Sequence, residues 1–173
     1  MTANNAQPVN EASFRQAMGC FTTGVTVVTT LNAQGEPIGL TVNSFNSVSM
    51  APPMVLWSLA GESPNLQAFS QHPAFAVNIL TVDQVDLCHR FASQAEDRFK
   101  GVRWSAGLHG VPVLANTAAS FECINTRQIP GGDHEIFLGE VTHVSSSSAL
   151  PLLYSQGRFG QMESEASRNT RLP

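Results

Sequence analysis

A succession of β-prone runs, separated by turn residues and never alternating regularly with helices, sets the narrowest limit on how this chain can fold. Val25–Thr30 (VTVVTT) is β-branched throughout and reads as a buried strand. Asn32–Gly35 supplies a turn, and Pro37–Val42 returns as a second strand. Pro52-Pro53 bars a helix ahead of Met54–Leu59, whose unbroken apolar character predicts burial on both faces. Ala74–Leu80 follows, and then come two long runs, Ala118–Gln128 and Glu135–Ser145, joined by the punctuation Pro130-Gly131-Gly132-Asp133-His134 of a hairpin or tight crossing. Leu150–Tyr154 and Gly157–Gly160 read as a last short strand. No strand-helix unit repeats. A mainly β, antiparallel barrel with flanking helices is therefore expected, in preference to a parallel sheet.

The helices are few. Ser13 is expected to cap a short one whose Phe14, Ala17, Met18 and Phe21 share an apolar face. In GESPNLQAFSQ, Ser63 stands where an N-cap belongs and Pro64 at the first helical position, which would offer free N–H groups to an anion; a plain capped helix packing Leu66 and Phe69 inward explains the same residues. Thr81 and Gln84 have capping-box spacing ahead of a helix over Asp83–Ala92, and residues 94–112 read as an irregular surface excursion or lid. At 173 residues the chain fits one domain, placed at 13–162 between mobile segments 1–12 and 163–173.

Charge narrows the partners. Only 13% of residues are charged, low for a small surface, so part of that surface is expected to be covered in a homodimer. A net charge of −4 with nine Lys and Arg argues against nucleic acid and anionic membranes as partners. Cys20, Cys88 and Cys123 are widely spaced in apolar neighbourhoods and read as buried, reduced thiols; with no leader-like start and no apolar run of membrane-spanning length, the cytoplasm is the expected compartment. The five histidines lack ligand spacing, so no metal is expected. GxSxG, P-loop, HExxH and post-strand GxGxxG signatures are all absent, which leaves a non-Rossmann cofactor enzyme open.

Gly39–Pro53, GLTVNSFNSVSMAPP, is the stretch best suited to a phosphorylated cofactor. Thr41, Asn43, Ser44, Ser47 and Ser49 offer polar atoms, while Val42, Phe45 and Val48 can anchor the segment. The same composition would serve a loop that caps its own backbone. Arg98 and Lys100 could meet a phosphate or simply stay solvated, and His134 beside Asp133 at the turn could act on a ligand or make a local hydrogen bond.

Read together, FRQAMGCFTTGVTVVTT, GLTVNSFNSVSMAPPMVLWSL, AFAVNIL, RFKGVRW, GVPVL, FEC, GGDHEIFLGEV and PLLY occur in the order found in the short-chain flavin reductases, and the chain resembles that family from about Phe14 to Phe159. The resemblance implies an FMN-binding split β-barrel that passes hydride from NADH or NADPH to FMN or FAD and supplies reduced flavin to a separate monooxygenase. It also implies that Thr41, Val42, Asn43 and Ser44 meet the flavin largely through backbone groups, with Ser47, Val48 and Ser49 further along the cradle. By the same resemblance Ser58 and Leu59 lie near the ribityl chain, Ser63 and Asn65 on the phosphate side, and Arg98 and Phe99 close over that end. His134 falls at the nicotinamide as the catalytic residue, with Phe159 bordering the same cleft. Asn46, Met50-Ala51 and Phe159 depart from the family's commoner Thr, acidic residue and Tyr. An oxygen-using oxidase of the related pyridoxamine-phosphate-oxidase-like barrels and a flavin-binding electron-transfer module are the competing readings; the retained GDH motif speaks against the first.

Overall fold

A computed structural model describes residues 9–163. Residues 1–8 and 164–173, most of the two segments expected to be mobile, lie outside the described residues. In chain order the elements are α1 (Glu11–Gly19), β1 (Thr23–Gly24), β2 (Thr26–Leu31), β3 (Pro37–Val42), β4 (Asn46–Met50), β5 (Pro53–Ala60), α2 (Leu66–Gln71) and β6 (Ala74–Ile79). A 3-10 turn at Val82–Gln84 then leads into α3 (Val85–Ala92), β7 (Trp104–Ala106), β8 (Pro112–Leu114), β9 (Ala119–Gly131), β10 (His134–Ser146), β11 (Leu153–Ser155) and β12 (Arg158–Gly160).

Seven strands form the main sheet in the order β3-β2-β6-β9-β10-β5-β4, and every neighbouring pair is antiparallel. Its two edge strands, β3 and β4, are consecutive in sequence and joined by Asn43, Ser44 and Phe45 alone. Three residues span only about 10 Å, so the sheet must curl until its edges meet at this link. No β3–β4 pairing closes it. Smaller sheets, β1-β11-β12 and β7-β8, flank it.

The β-branched run Val25–Thr30 is buried on both faces, as its composition predicts, because two apolar clusters sit on opposite sides of β2. Val28 belongs to a cluster centred on Trp57, Phe69, Phe75 and Phe137, in which Trp57 and Phe137 stack at 4.6 Å and 12°. Val27 belongs to the other, with Leu80, Phe91, Phe99 and Leu114. At the crowded centre, a Cβ on Gly139 of β10 would meet the Phe75 ring and lie 2.9 Å from the Cys123 Cβ.

Four local expectations change. Asn10, through its Oδ1, caps α1 instead of Ser13, whose N–H donates to it at 2.9 Å; no α1 side chain is buried, and Phe14, Met18 and Phe21 stand exposed. β5 buries Val55, Trp57 and Leu59 on one face only, because its other face carries Ser58 toward a cleft. Asn65, two residues beyond Ser63, is the N-cap of the six-residue α2, since Ser63 Oγ accepts from Asn65 N–H and its carbonyl from Leu66 N–H, which makes a turn first. Cys20 is exposed at the end of α1, whereas Cys88 and Cys123 are buried.

Candidate functional site

Two clefts flank the Asn43–Phe45 link between the sheet edges. The first, of about 770 Å³, runs from Pro37–Thr41 of β3 to Ser63–Asn65 and the segment Phe91–Phe99. The second, of about 1310 Å³, is bounded by Asn43–Asn46, Ser58, the turn residues Gly131, Asp133 and His134, the β11–β12 tip, and α1. Thr41 lines one and Asn43 the other, while Val42 between them packs on the Trp57 cluster.

In the first cleft Arg98 is fixed across 59 residues of sequence. Its Nη1 donates to the Gly39 carbonyl at 2.9 Å, and its Nε is buried with no hydrogen-bond partner. An orphaned, buried guanidinium donor beside a cleft is costly unless something accepts from it. Gly39 is what permits the approach, since a Cβ there would lie 2.7 Å from the Phe91 ring and 3.3 Å from that of Phe99. Phe99 is buried edge-on against Phe91 at 5.0 Å, so its ring holds the cleft wall. Ser63, Asn65 and Thr41 stand around the same space. These donors suit a phosphate monoester.

In the second cleft the β9–β10 hairpin turns through Gly132 and Asp133, with Gly132 at φ +74°, and sets His134 at the first paired position of β10, opposite Gly131 and Ala60. His134 Nδ1 lies 2.7 Å from Asp133 Oδ1. That hydrogen bond, and then the histidine's charge, hold the Asp133 carboxyl below the usual carboxylate range. With Nδ1–H donated to a carboxylate, Nε2 is the nitrogen available to a ligand.

The polar side chains of Gly39–Pro53 are largely used within the chain. Thr41 Oγ1 donates to the Cys88 carbonyl at 2.8 Å, and Ser44 Oγ both accepts from Ser58 N–H at 3.0 Å and donates to its carbonyl. Asn46 and Ser49 accept from backbone N–H groups of their own loop. The backbone-capping reading and the cleft wall coexist. Asn43, Ser44, Ser58 and His134 come together around the second cleft, and Thr41, Ser63, Asn65, Arg98 and Phe99 around the first. Ser47, Val48 and Ser49 on the edge strand β4 line neither, and the Leu59 side chain faces the core. Phe159 lies outside both linings but packs on Tyr154, a wall of the second, at 5.6 Å and on His89 at 5.4 Å.

In the sequence Gly39 marks only the start of the Gly39–Pro53 stretch, and nothing there assigns a site role to Phe91, Tyr154 or Gln156, or places α1 over the second cleft. Only Gln156 carries a local mark, a φ of +50° in a residue other than glycine, and that is visible in coordinates alone. Among the described residues no group of three or more His, Cys, Asp or Glu is placed to hold a metal, and no helix is long and apolar enough to cross a membrane.

An open antiparallel sheet with two clefts at its joined edges, one lined by Arg98, Ser63 and Asn65 and the other by His134, is an arrangement with room for a bound cofactor. The chain belongs to the flavin-reductase family: the model of the flavin reductase like domain matches residues 18–163. It is 46% identical over 152 residues to the FMN reductase (NADH) of Agrobacterium fabrum, covering 88% of this chain and 86% of that protein. The reductase component of 4-nitrophenol 4-monooxygenase/4-nitrocatechol 2-monooxygenase from Rhodococcus opacus is 38% identical, with 92% and 85% covered. The NADH:FAD oxidoreductase of Streptomyces globisporus, solved in complex with NAD and FAD fragments, superposes with a TM-score of 0.86 at 38% identity, covering 92% of this chain and 97% of that one. Three further relatives are longer, the chain spanning 47% to 64% of their length.

Proposed function

We propose that the protein is an NAD(P)H:flavin oxidoreductase that transfers hydride from NADH or NADPH to FMN or FAD and hands the reduced flavin to a separate monooxygenase. The observation that carries this reading is the pair of clefts meeting at Thr41–Ser44, one lined by Arg98 and the other by His134. Relatives named as NADH-dependent flavin reductases and as monooxygenase reductase components support it.

The bound flavin would supply the hydride-accepting ring, so the chain needs no nucleophile of its own. Arg98 would hold the phosphate through its guanidinium with Ser63 and Asn65 beside it, and Phe99 would keep that guanidinium in place. The backbone of Thr41–Ser44, fixed by the Thr41–Cys88 and Ser44–Ser58 hydrogen bonds, would orient the ring edge. Ser47, Val48 and Ser49 would contribute through the stiffness of β4, and Ser58 and Leu59 through the β5 backbone. His134, with its Nδ1 proton on Asp133, would present Nε2 to the donor's nicotinamide side, and Phe159 would brace Tyr154 there.

The curled, edge-joined sheet supports a split β-barrel. The uncovered face of α1 supports a homodimer, and the free cysteines support a reducing compartment, the cytoplasm.

The test is purified protein with NADH or NADPH and added FMN, FAD or riboflavin, followed by loss of nicotinamide absorbance and by oxygen uptake. Flavin-dependent oxidation is expected with at least one pair; its absence with every pair overturns the reading. His134→Ala should lower kcat by about 10- to 100-fold while flavin affinity changes by less than about threefold. Unchanged kinetics would remove His134 from the reaction.

A further inference from the structure

The second cleft is larger than a nicotinamide ring requires. At about 1310 Å³ it exceeds the usual range for a whole small-molecule ligand, so room remains for the rest of a dinucleotide. Its charged lining is sparse: Arg15, Asp133 and His134. Among the described residues Arg15 is the one Lys or Arg lining it, and a planar guanidinium is the side chain whose geometry matches a doubly charged pyrophosphate.

Arg15 is held over this cleft by its helix. The C-terminal end of α1 is tied to the β11–β12 tip: Gly19 O accepts from Gln156 N–H at 2.9 Å, and Thr22 Oγ1 lies 3.1 Å from Ser155 Oγ. The tip itself is fixed by left-handed backbone at Gln156 and Gly157, φ +50° and +77°. Arg15 sits about 6 Å along the helix axis from that anchor. Its present partner is weak. Glu11 Oε1 lies 2.6 Å from Arg15 Nη2, but both side chains are more than three-quarters exposed, and exposed i,i+4 pairs exchange at little cost.

We propose that Arg15 binds the pyrophosphate of the dinucleotide hydride donor, leaving Glu11 for it as the donor enters the second cleft. This rests on the reading that the cleft takes the nicotinamide.

The test compares NADH with 1-benzyl-1,4-dihydronicotinamide, a hydride donor without phosphate, and adds calorimetric titration of ADP-ribose, which needs no turnover. Arg15→Gln should raise KM for NADH about tenfold, with kcat kept within about twofold. It should leave kcat/KM for the benzyl donor and KM for flavin unchanged, and weaken ADP-ribose binding about tenfold. Glu11→Gln should lower KM for NADH. An unchanged NADH KM in Arg15→Gln, or an equal loss with both donors, overturns the proposal. If the wild type oxidises neither donor yet binds ADP-ribose through Arg15, the flavin-reductase reading fails while the anion site stands. If it binds no ADP-ribose, the site fails whatever the turnover.

Discussion

Gly39 lies in a strand, where a glycine ordinarily weakens pairing, and nothing in its neighbours along the chain explains it. Its reason is 50 to 60 residues away, in the rings of Phe91 and Phe99 and the guanidinium that binds its carbonyl. Gly39→Ala should cost about 1–3 kcal/mol and weaken FMN binding, read by the denaturant midpoint and by fluorescence titration. The cysteines make the same contrast between type and environment. Burial pushes the Cys88 thiol up, and burial with the neighbouring Glu122 charge pushes Cys123 up to about 12. At pH 8 iodoacetamide should therefore modify Cys20 alone in the native protein and all three thiols after denaturation. The sign for stability follows: above pH 9 the unfolded chain releases the Cys123 proton while the folded chain keeps it, so this thiol lowers stability as pH rises from about 9 to 12.

Elements were read best where period and caps agree. β2 announces itself by an unbroken β-branched run, β6 by an apolar run that only Asn78 interrupts, and α3 by Gln84, whose Oε1 accepts from Thr81 N–H at 3.1 Å. The failures have physical causes. α1 has an amphipathic pattern but no core beneath it, and β5 has an apolar sequence but one polar face. What ties elements together was invisible. Asn78 of β6 donates through Nδ2 to Val27 O at 3.0 Å, and its Oδ1 accepts from Leu114 N–H at 2.9 Å, joining β2, β6 and β8 inside the core. Asn78→Leu should destabilise by about 1–3 kcal/mol through these unpaired buried groups, seen as a lower chemical midpoint with little change in m.

For the whole molecule, Phe14 (57% exposed), Met18 (52%) and Phe21 (65%), on and just beyond α1, line the second cleft and leave apolar surface for a second copy of the chain to cover. Sedimentation equilibrium should return twice the chain mass, and Met18→Asp should shift the population toward monomer. A monomeric wild type at micromolar concentration would remove the dimer.

The sequence by itself determined the strand-rich antiparallel class and the family, because strand period, turn chemistry and ordered motifs are local signals, and it marked Ser63, Arg98 and His134 as candidates for the site. Only the tertiary structure decided that β3 and β4 are opposite edges of one curled sheet, that this curl sets Arg98 and His134 on two sides of one three-residue link, and that α1 roofs the second cleft. Those are long-range contacts, chosen by which apolar faces can be buried together, and no local pattern encodes the partner.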